Sequence, residues 1–233
     1  KNECWKSRIS SRFLCLDKII DMNIQIFVNN PWEENTVVLY DDTKEAAVID
    51  CGCFLEEERK AIQSFLTEKG LTPVVLLNTH LHPDHIFGNE FMKKTYGLET
   101  QASEEDNFLI QHAVEYAAVL GITGIAQPPQ VGTFLKGGDV IRFGESELEV
   151  IAIPGHSPGG LCFYSKKDKL LVAGDVLFAG SVGRSDLPGG NGIQLLEAIR
   201  TRLFVLGDDV KVIPGHGPAT VIEKEKKYNP FFQ

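Results

Sequence analysis

The stretch from Thr79 to His85 constrains this chain more than any other part of its sequence. Four side chains that bind metal ions well lie within six positions there: His80, His82, Asp84 and His85. The short apolar run just before them, Val74–Leu77, is typical of a buried strand. Since Thr79 and Pro83 interrupt regular structure, we predict that the four side chains lie in a loop at the end of that strand.

A loop suits metal binding better than a strand would at this position. A continued strand would point His80 and His82 to one face and would leave Asp84 and His85 on opposite faces. A tight loop can aim the two imidazoles at one point and the Asp-His pair at a second point nearby. Imidazole and carboxylate together favour zinc, iron or manganese over calcium or magnesium. A polar loop with chance histidines is the alternative, but three of the six histidines in the chain lie here.

Composition narrows the classes of function further. A chain of 233 residues suits one large domain or a small pair and can bury a sizeable core. Its formal net charge of -9 argues against a general nucleic-acid surface, although bound metal ions would still permit an anionic substrate. Because no apolar run approaches the roughly 20 residues that span a membrane, we predict no membrane partner.

The five cysteines are an odd number and lack the spacing of a disulfide framework. This pattern indicates reduced thiols and a cytoplasmic location. Cys51 and Cys53 could form a metal or redox pair, but two cysteines lack the partner ligands of a zinc site. We therefore predict that both are buried, inert thiols.

The first 21 residues differ from the rest of the chain because they are basic. Their charges come from Lys1, Lys6, Arg8, Arg12 and Lys18. Their longest apolar run is too short for the core of a signal peptide. Met22 is followed at once by a strand-like run. We predict an N-terminal extension or leader at residues 1–21 and one compact domain at residues 22–233.

Strands and helices alternate along the compact domain in two similar halves. The first half predicts strands at 23–29, 36–41, 46–50 and 74–77 and helices at 55–69, 88–96 and 104–120. The second half predicts strands at 139–143, 147–152, 160–165, 169–173 and 210–213 and helices at 192–204 and 219–227. Residues 121–132 form a predicted loop, which is a candidate flap over a cleft. The pattern predicts an α/β sandwich with two mixed sheets face to face and helices outside.

Three later loops add further candidate metal ligands. His156, Asp175 and His216 each follow a short apolar strand and lie next to a glycine, which permits a tight turn and close approach of the backbone. A lone histidine after a strand is more often a structural residue. With the earlier stretch, however, the chain has seven candidate ligands at the ends of four strands. His112 is the histidine outside this set, and we assign it to the surface or to packing.

The combined motifs resemble the metallo-β-lactamase superfamily. His-x-His-x-Asp-His, Pro-Gly-His, Gly-Asp and Pro-Gly-His-Gly-Pro follow one another within residues 23–220. The resemblance implies an αβ/βα sandwich with a site for two divalent metal ions at its edge, zinc first and iron or manganese as alternatives. The ligands that it implies are His80, His82 and His156 for metal one, Asp84, His85 and His216 for metal two, and Asp175 as a bridge. Asp50 matches an acidic position that supports the histidine stretch from behind, and it can also cap its strand.

Within the superfamily, the chain is most similar to the glyoxalase II group. The similarity lies in residues 154–160, 174–178 and 183–186. True β-lactamases commonly have Cys where Asp175 stands. The chain departs from the group because little sequence follows His216 in place of a C-terminal helical domain, and because Arg184 and Asp186 replace the usual Lys and Tyr. We predict that Arg184 binds a substrate carboxylate, whereas Asp186 would repel one or pair with Arg184.

The resemblance implies a metal-dependent hydrolase that cleaves a thioester, an S-acyl thiol similar to a hydroxyacylglutathione, by metal-bound hydroxide. Asp84 and Asp175 are the expected catalytic carboxylates, and the expected partner is a small anionic thioester. Persulfide dioxygenases share the Gly-Arg-Ser/Thr-Asp stretch and are the alternative. They use one iron at the positions that match His80, His156 and Asp175.

Overall fold

The computed structural model describes residues 22–119 and 121–233, so the prediction for residues 1–21 lies outside the described residues. The first half of the domain forms a six-stranded mixed sheet whose spatial order follows the sequence. Its strands are β1 (Asn23–Asn29), β2 (Glu34–Tyr40), β3 (Glu45–Ile49), β4 (Thr72–Leu77), β5 (Thr100–Ser103) and β6 (Val131–Leu135). Strands β1 to β3 pair antiparallel, and β3 to β6 pair parallel.

The second half of the domain forms another six-stranded sheet. Its strands are β7 (Val140–Phe143), β8 (Ser146–Ala152), β9 (Leu161–Ser165) and β10 (Leu170–Gly174) and, after a small hairpin of β11 (Leu177–Phe178) and β12 (Ser181–Val182), β13 (Lys211–Pro214) and β14 (Thr220–Val221). The spatial order is β14-β13-β10-β9-β8-β7. Only the β10–β13 pair is parallel among the pairs of this sheet. Its crossover contains the hairpin and a helix.

Seven α-helices lie among the described residues. They are α1 (Glu56–Lys69), α2 (Pro83–Ile86), α3 (Asn89–Tyr96), α4 (Asn107–Gln111), α5 (Ala113–Val119), α6 (Gly192–Ala198) and α7 (Ile222–Tyr228). Helix α1 begins where the Glu58 carboxylate accepts the backbone N–H groups of Phe54 and Leu55, and it ends at Gly70, which has a φ of 64°. A π-helical turn, Ile199–Leu203, continues α6. Among all the residues that the structure describes, no helix is long and apolar enough to cross a membrane.

The main core contains side chains from both six-stranded sheets. Val37, Leu39, Leu77, Phe163 and Val172 belong to this one buried cluster. The intervening residues of the same strands point outward and pack under helices, because side chains alternate between the two faces of a strand. Thus Val38 and Leu76 pack with Ile62 and Leu66 of α1. Leu171 and Val212 similarly pack with Leu195 and Ile199. The layers are helix, sheet, sheet and helix, which confirms the predicted sandwich.

Two details of the first half differ from the sequence-based expectations. The predicted helix 104–120 is a 3₁₀ turn (Glu104–Asp106) followed by α4 and α5, with a break at His112, which has φ and ψ of -110° and 9°. The Asp106 carboxylate accepts hydrogen bonds from the loop after β8. Strands β5 and β6 were not predicted, since β5 is short and polar and β6 is largely exposed at the sheet edge. Their strand conformation comes from parallel pairing with β4 and with each other.

The Asp41 carboxylate connects the first sheet to the second sheet. It lies in the β2–β3 turn, is 1% exposed, and accepts hydrogen bonds from the backbone N–H of Thr43 (3.0 Å), the backbone N–H of Glu145 (2.8 Å) and the Ser146 hydroxyl (2.8 Å). Burial alone would raise the pKa of Asp41, but the hydrogen bonds from Thr43, Ser146 and Glu145 hold it below the ordinary value. The β2–β3 turn and the β7–β8 turn therefore share one charged acceptor.

We expect Asp41→Ala to lower the free energy of unfolding by about 2 kcal/mol or more at neutral pH, because hydrogen bonds to a charged acceptor are lost and their donors remain. Folding lowers the pKa of Asp41, so its contribution is present above the unfolded value of about 3.9 and is lost as the pH falls through the folded value. Denaturant unfolding at pH 7 and at pH 3 measures both effects. Asp139→Ala, which removes a turn carboxylate that accepts a bond from Lys136, should cost less than about 1 kcal/mol. Equal losses in the two variants would contradict the assignment.

Candidate metal centre

The seven candidate ligands meet at one edge of the sandwich, although they come from four separate loops. His80 and His82 follow β4, His156 follows β8, Asp175 follows β10, and His216 follows β13. Asp84 and His85 lie on α2, which begins at Pro83, so the expectation that all four residues of the histidine stretch lie in a loop was wrong for these two. Proline fixes φ near the helical value and needs no hydrogen-bond acceptor at the first position of a helix. One helical turn thus carries Asp84 and His85.

Three imidazoles form the first cluster of the site. His82 Nδ1 lies 3.0 Å from His156 Nε2, and His156 Nε2 lies 3.2 Å from His80 Nε2. All three residues are buried. Burial and then His156 lower the pKa of His82 to about 3, and burial and then His85 hold the pKa of His80 well below its ordinary value. His80 and His82 are therefore neutral, and one nitrogen from each of the three rings lies close enough to the others to share a metal ion.

Asp84, His85 and His216 form the second cluster. The distance from Asp84 Oδ2 to His216 Nε2 is 3.2 Å, and the distance from Asp84 Oδ2 to His85 Nε2 is 3.6 Å. Burial alone would raise the pKa of Asp84, but His85 and a hydrogen bond from His216 lower it. The carboxylate is thus ionised at neutral pH and faces two imidazole nitrogens.

Asp175 lies between the two clusters, with one carboxylate oxygen facing each. Its Oδ1 is 3.5 Å from His85 Nε2 and 3.7 Å from His216 Nε2, whereas its Oδ2 is 3.6 Å from His156 Nε2. Burial would raise the pKa of Asp175, but His85, followed by His156 and His216, holds it far below its ordinary value. Gly215 is required beside it, because a Cβ there would collide with Asp175 Oδ1 and His85.

The chemistry of these side chains suits divalent metal ions. His85 Nε2 and Asp175 Oδ1 are buried without a hydrogen-bond partner among the residues that the structure describes. Buried polar atoms are otherwise almost always paired, so unpaired ones in a cluster of nitrogen and oxygen donors indicate a place for a cation. Asp50, His80 and His85 also lie close enough to share an ion. That grouping is less suitable, because Thr79 already occupies both oxygens of Asp50.

Asp50 supports the histidine stretch from behind, where the sequence placed it. Its Oδ1 accepts the backbone N–H of Thr79 at 2.7 Å, and its Oδ2 accepts the Thr79 hydroxyl at 2.6 Å. Its Oδ2 also lies 3.0 Å from His85 Nδ1. To reach these groups, Asp50 adopts a φ of 51°, an uncommon value for a residue other than glycine. The carboxylate therefore fixes the start of the stretch and the orientation of His85.

Two acidic residues near the site were not found from the sequence. Asp106 is buried and accepts hydrogen bonds from Ser157 Oγ (2.7 Å), Gly159 N (2.6 Å) and Leu81 N (3.3 Å), so it joins the loop of His156 to the histidine stretch. Glu34 is fully buried, and burial raises its pKa well above the ordinary value. Asp106 belongs to no motif, because it acts through contacts between distant parts of the chain, whereas the Glu34 carboxylate accepts a hydrogen bond from the nearby Thr36 hydroxyl at 2.9 Å.

Arg184 and His112 lie where solvent reaches them. The Arg184 guanidinium is exposed and makes two bonds to Asp186, from Nε to Oδ1 at 2.8 Å and from Nη2 to Oδ2 at 2.7 Å. The backbone carbonyl of Arg184 accepts a hydrogen bond from His156 Nδ1 at 2.8 Å. His112 is exposed beside Glu115, away from the clusters, as expected. The binding of a substrate by Arg184 stays a prediction.

Cysteines and the predicted flap complete the surroundings of the site. Cys51 and Cys53 are buried, with sulfurs 3.5 Å apart, and both are free thiols as predicted. The contact with the Cys53 thiol, followed by burial, raises the pKa of Cys51 well above its ordinary value. The 121–130 loop lines a cleft of about 680 Å³ together with Phe54, Phe87 and Arg59. None of the seven candidate ligands lines this cleft.

Comparisons with known proteins agree with the fold. The family model described as the metallo-β-lactamase superfamily matches residues 30–220. The chain is 37% identical over 211 residues to the hydroxyacylglutathione hydrolase GloC of Haemophilus influenzae, covering 90% of this chain and 98% of that protein. It is also similar to the crystal structure of the BLEG-1 B3 metallo-β-lactamase, with a TM-score of 0.84 and 31% identity over 91% of this chain and 100% of the other.

A second solved structure is similar and carries metal. It is TTHA1623 in a di-iron-bound form, with a TM-score of 0.80 and 32% identity over 89% of this chain and 99% of that one. The residues that the family model matches include all seven candidate ligands. This chain belongs to the metallo-β-lactamase superfamily.

Proposed function

We propose that this protein is a metal-dependent hydrolase that cleaves a thioester, an S-acyl thiol similar to a hydroxyacylglutathione. The observation that carries the proposal is the position of Asp175, whose two oxygens face two separate clusters of ligands. The similarity to GloC, whose name describes a hydroxyacylglutathione hydrolase, supports the choice of a thioester. A small anionic thioester in the cytoplasm is the proposed substrate.

We assign the seven side chains to two metal ions. The ligands of metal one are His80, His82 and His156, those of metal two are Asp84, His85 and His216, and Asp175 is shared. Zinc is the proposed ion because it binds well to nitrogen and carboxylate donors, and the di-iron relative makes iron the next choice. When bound, such ions bring the pKa of a coordinated water to about 7 and polarise a carbonyl group.

Two carboxylates of this chain, Asp84 and Asp175, supply negative charge at the site. Asp84 and Asp175 are ionised, since neighbouring histidines lower the pKa of each carboxyl group. They offset much of the charge of two divalent ions, and Asp84 can accept a hydrogen bond from the attacking water. Attack on the thioester carbonyl forms a C–O bond and breaks the C–S bond. Because a thiolate leaves readily, no side chain must protonate it.

A mononuclear iron persulfide dioxygenase is the second candidate. The three residues that it would use are also in contact: His156 Nε2 is 3.2 Å from His80 Nε2 and 3.6 Å from Asp175 Oδ2. The complete second cluster favours the hydrolase, because a single iron would leave Asp84, His85 and His216 without a role.

The reaction class is tested by thiol release. With zinc bound and oxygen excluded, we expect the protein to release free thiol from S-lactoyl thioesters. The His82→Ala variant should lose at least about 100-fold in kcat/KM, because metal one loses a ligand, whereas His112→Ala should match the wild type. The dioxygenase assignment would be correct instead if the iron form consumes oxygen with glutathione persulfide and no metal form releases thiol from a thioester.

The number of metal ions tests the assignment of Asp175. Elemental analysis after zinc reconstitution should find about two equivalents per chain in the wild type. Asp175→Ala should retain less than about one equivalent, because both ions lose a shared ligand. Asp209→Ala, which removes an exposed carboxylate paired with Lys169, should bind as much metal as the wild type. A wild-type value that stays at one equivalent with zinc, iron and manganese would contradict a binuclear site.

Arg184 and Asp186 test the recognition of the substrate carboxylate. Arg184→Ala should raise KM by about 10-fold with little change in kcat, because the contact is equal in the ground state and the transition state. Asp186→Ala frees the guanidinium from its partner, so it should leave KM unchanged or lower it. Kinetics with an anionic and a neutral thioester measure both effects. If Arg184→Ala and the wild type have a similar KM, Arg184 does not bind the substrate.

A further inference from the structure

Three of the five histidines at the metal centre have a hydrogen-bond partner for the ring nitrogen that points away from the clusters, and a fourth, His85, has a carboxylate oxygen 3.0 Å from that nitrogen. The Nδ1 atoms of these histidines face Thr79 Oγ1 for His80 (3.1 Å), Asp50 Oδ2 for His85 (3.0 Å), the Arg184 carbonyl for His156 (2.8 Å) and the Trp32 carbonyl for His216 (2.8 Å). Such outer partners fix the tautomer and the ring orientation of a metal-binding histidine.

His82 is the exception. Its Nδ1 faces the first cluster, 3.0 Å from His156 Nε2, so its outer nitrogen is Nε2. That nitrogen is buried and has no hydrogen-bond partner among the described residues. A neutral imidazole that turns the Nδ1 lone pair to a metal ion carries its proton on Nε2. His82 therefore presents a buried N–H donor without an acceptor.

Tyr116 on α5 presents a matching polar group beside this ring. Its ring centroid is 6.0 Å from that of His82, with 40° between the two planes. Its hydroxyl oxygen is buried and, like His82 Nε2, has no partner in the described part of the chain. Burial raises the pKa of Tyr116, so the phenol is neutral and its oxygen can accept a hydrogen bond.

We propose that Tyr116 is a positioning residue for metal one, whose hydroxyl oxygen accepts the Nε2–H of His82 in the metal-loaded protein. A hydrogen bond of about 2.9 Å between His82 Nε2 and the Tyr116 hydroxyl oxygen is compatible with the observed distance of 6.0 Å between the two ring centroids. This bond would give the outer nitrogen of His82 a hydrogen-bond partner, as His80, His156 and His216 already have.

A direct contact between Tyr116 and the substrate is the competing role, and the burial of the hydroxyl argues against it. An oxygen that solvent does not reach is closed to a substrate that enters from solvent. The neighbouring ring nitrogen has the complementary donor and is buried in the same way. The geometry thus favours a contact within the protein.

The proposed bond would couple metal binding to the segment that contains α5. Helix α5 is followed by the 121–130 loop, which lines the cleft beside Phe87. Phe87 directly follows α2, which carries Asp84 and His85. A fixed Tyr116 would therefore hold α5 against the histidine stretch, and metal one would stabilise this side of the site.

The experiment measures metal affinity, with no substrate present. The inference rests on the assignment of His82 to metal one in the proposed function, but its failure is distinguishable from a failure of thioester hydrolysis, because no turnover is measured. Zinc is titrated into the metal-depleted full chain in competition with a chromophoric chelator. Tyr116→Phe should weaken one of the two zinc equivalents by about 10- to 100-fold and leave the other unchanged. Tyr96→Phe, a half-buried tyrosine on α3, is the matched control and should bind zinc as the wild type does.

A second readout is observed in the wild type itself. In the zinc-loaded wild type, the imidazole Nε2–H of His82 should give a slowly exchanging proton signal in ¹H–¹⁵N NMR, assigned by its loss in His82→Gln. Tyr116→Phe should make this proton exchange rapidly. The absence of the signal in the wild type overturns the proposal, as does an unchanged zinc affinity of Tyr116→Phe. A change in KM or kcat with unchanged zinc affinity would assign Tyr116 to the substrate instead.

Discussion

The metal centre depends on keeping five imidazoles and two carboxylates in one small volume that is mostly closed to solvent. Burial disfavours the protonated form of histidine, so His80 and His82 are neutral and each has one N–H donor. The outer nitrogens of His80, His156 and His216 face fixed acceptors, which leaves their inner nitrogens pointing toward the clusters. The carboxylates of Asp84 and Asp175 stay ionised among these rings. Orientation of the protons, more than proximity alone, makes this group of side chains a site for cations.

The sandwich supplies the rigidity that this orientation requires. The strand ends that carry the ligands are held by the core between the sheets, so the loops that follow them are short and firmly placed. The backbone of Asp50 adopts a φ of 51°, which costs about 1 kcal/mol or more. Its carboxylate offsets that cost by binding Thr79 and His85. A strained strand end therefore holds the first residues of the site in place.

The sequence predicted the sandwich and all seven side chains that meet at the site, because ligands that follow apolar strands form a local pattern. Asp106 could not be found in this way, since its partners Leu81 and Ser157 lie 25 and 51 residues away. The helix break at His112 and the strand β5 were missed for a related reason. Contacts made by the folded chain decide both, and they override local propensity. Helix α2 was missed despite a local signal, the proline at its first position.

Arg184 contacts the metal centre and the solvent through different atoms. Its backbone carbonyl anchors His156, so every side chain at this position can preserve the metal centre. Its guanidinium is exposed and bound to Asp186, and an exposed ion pair contributes only about 0 to 1 kcal/mol. If the guanidinium binds an anionic substrate, as proposed, the loss of the contact with Asp186 costs little. The fold holds the candidate ligands in place, whereas an exposed side chain such as that of Arg184 can change without disturbing them.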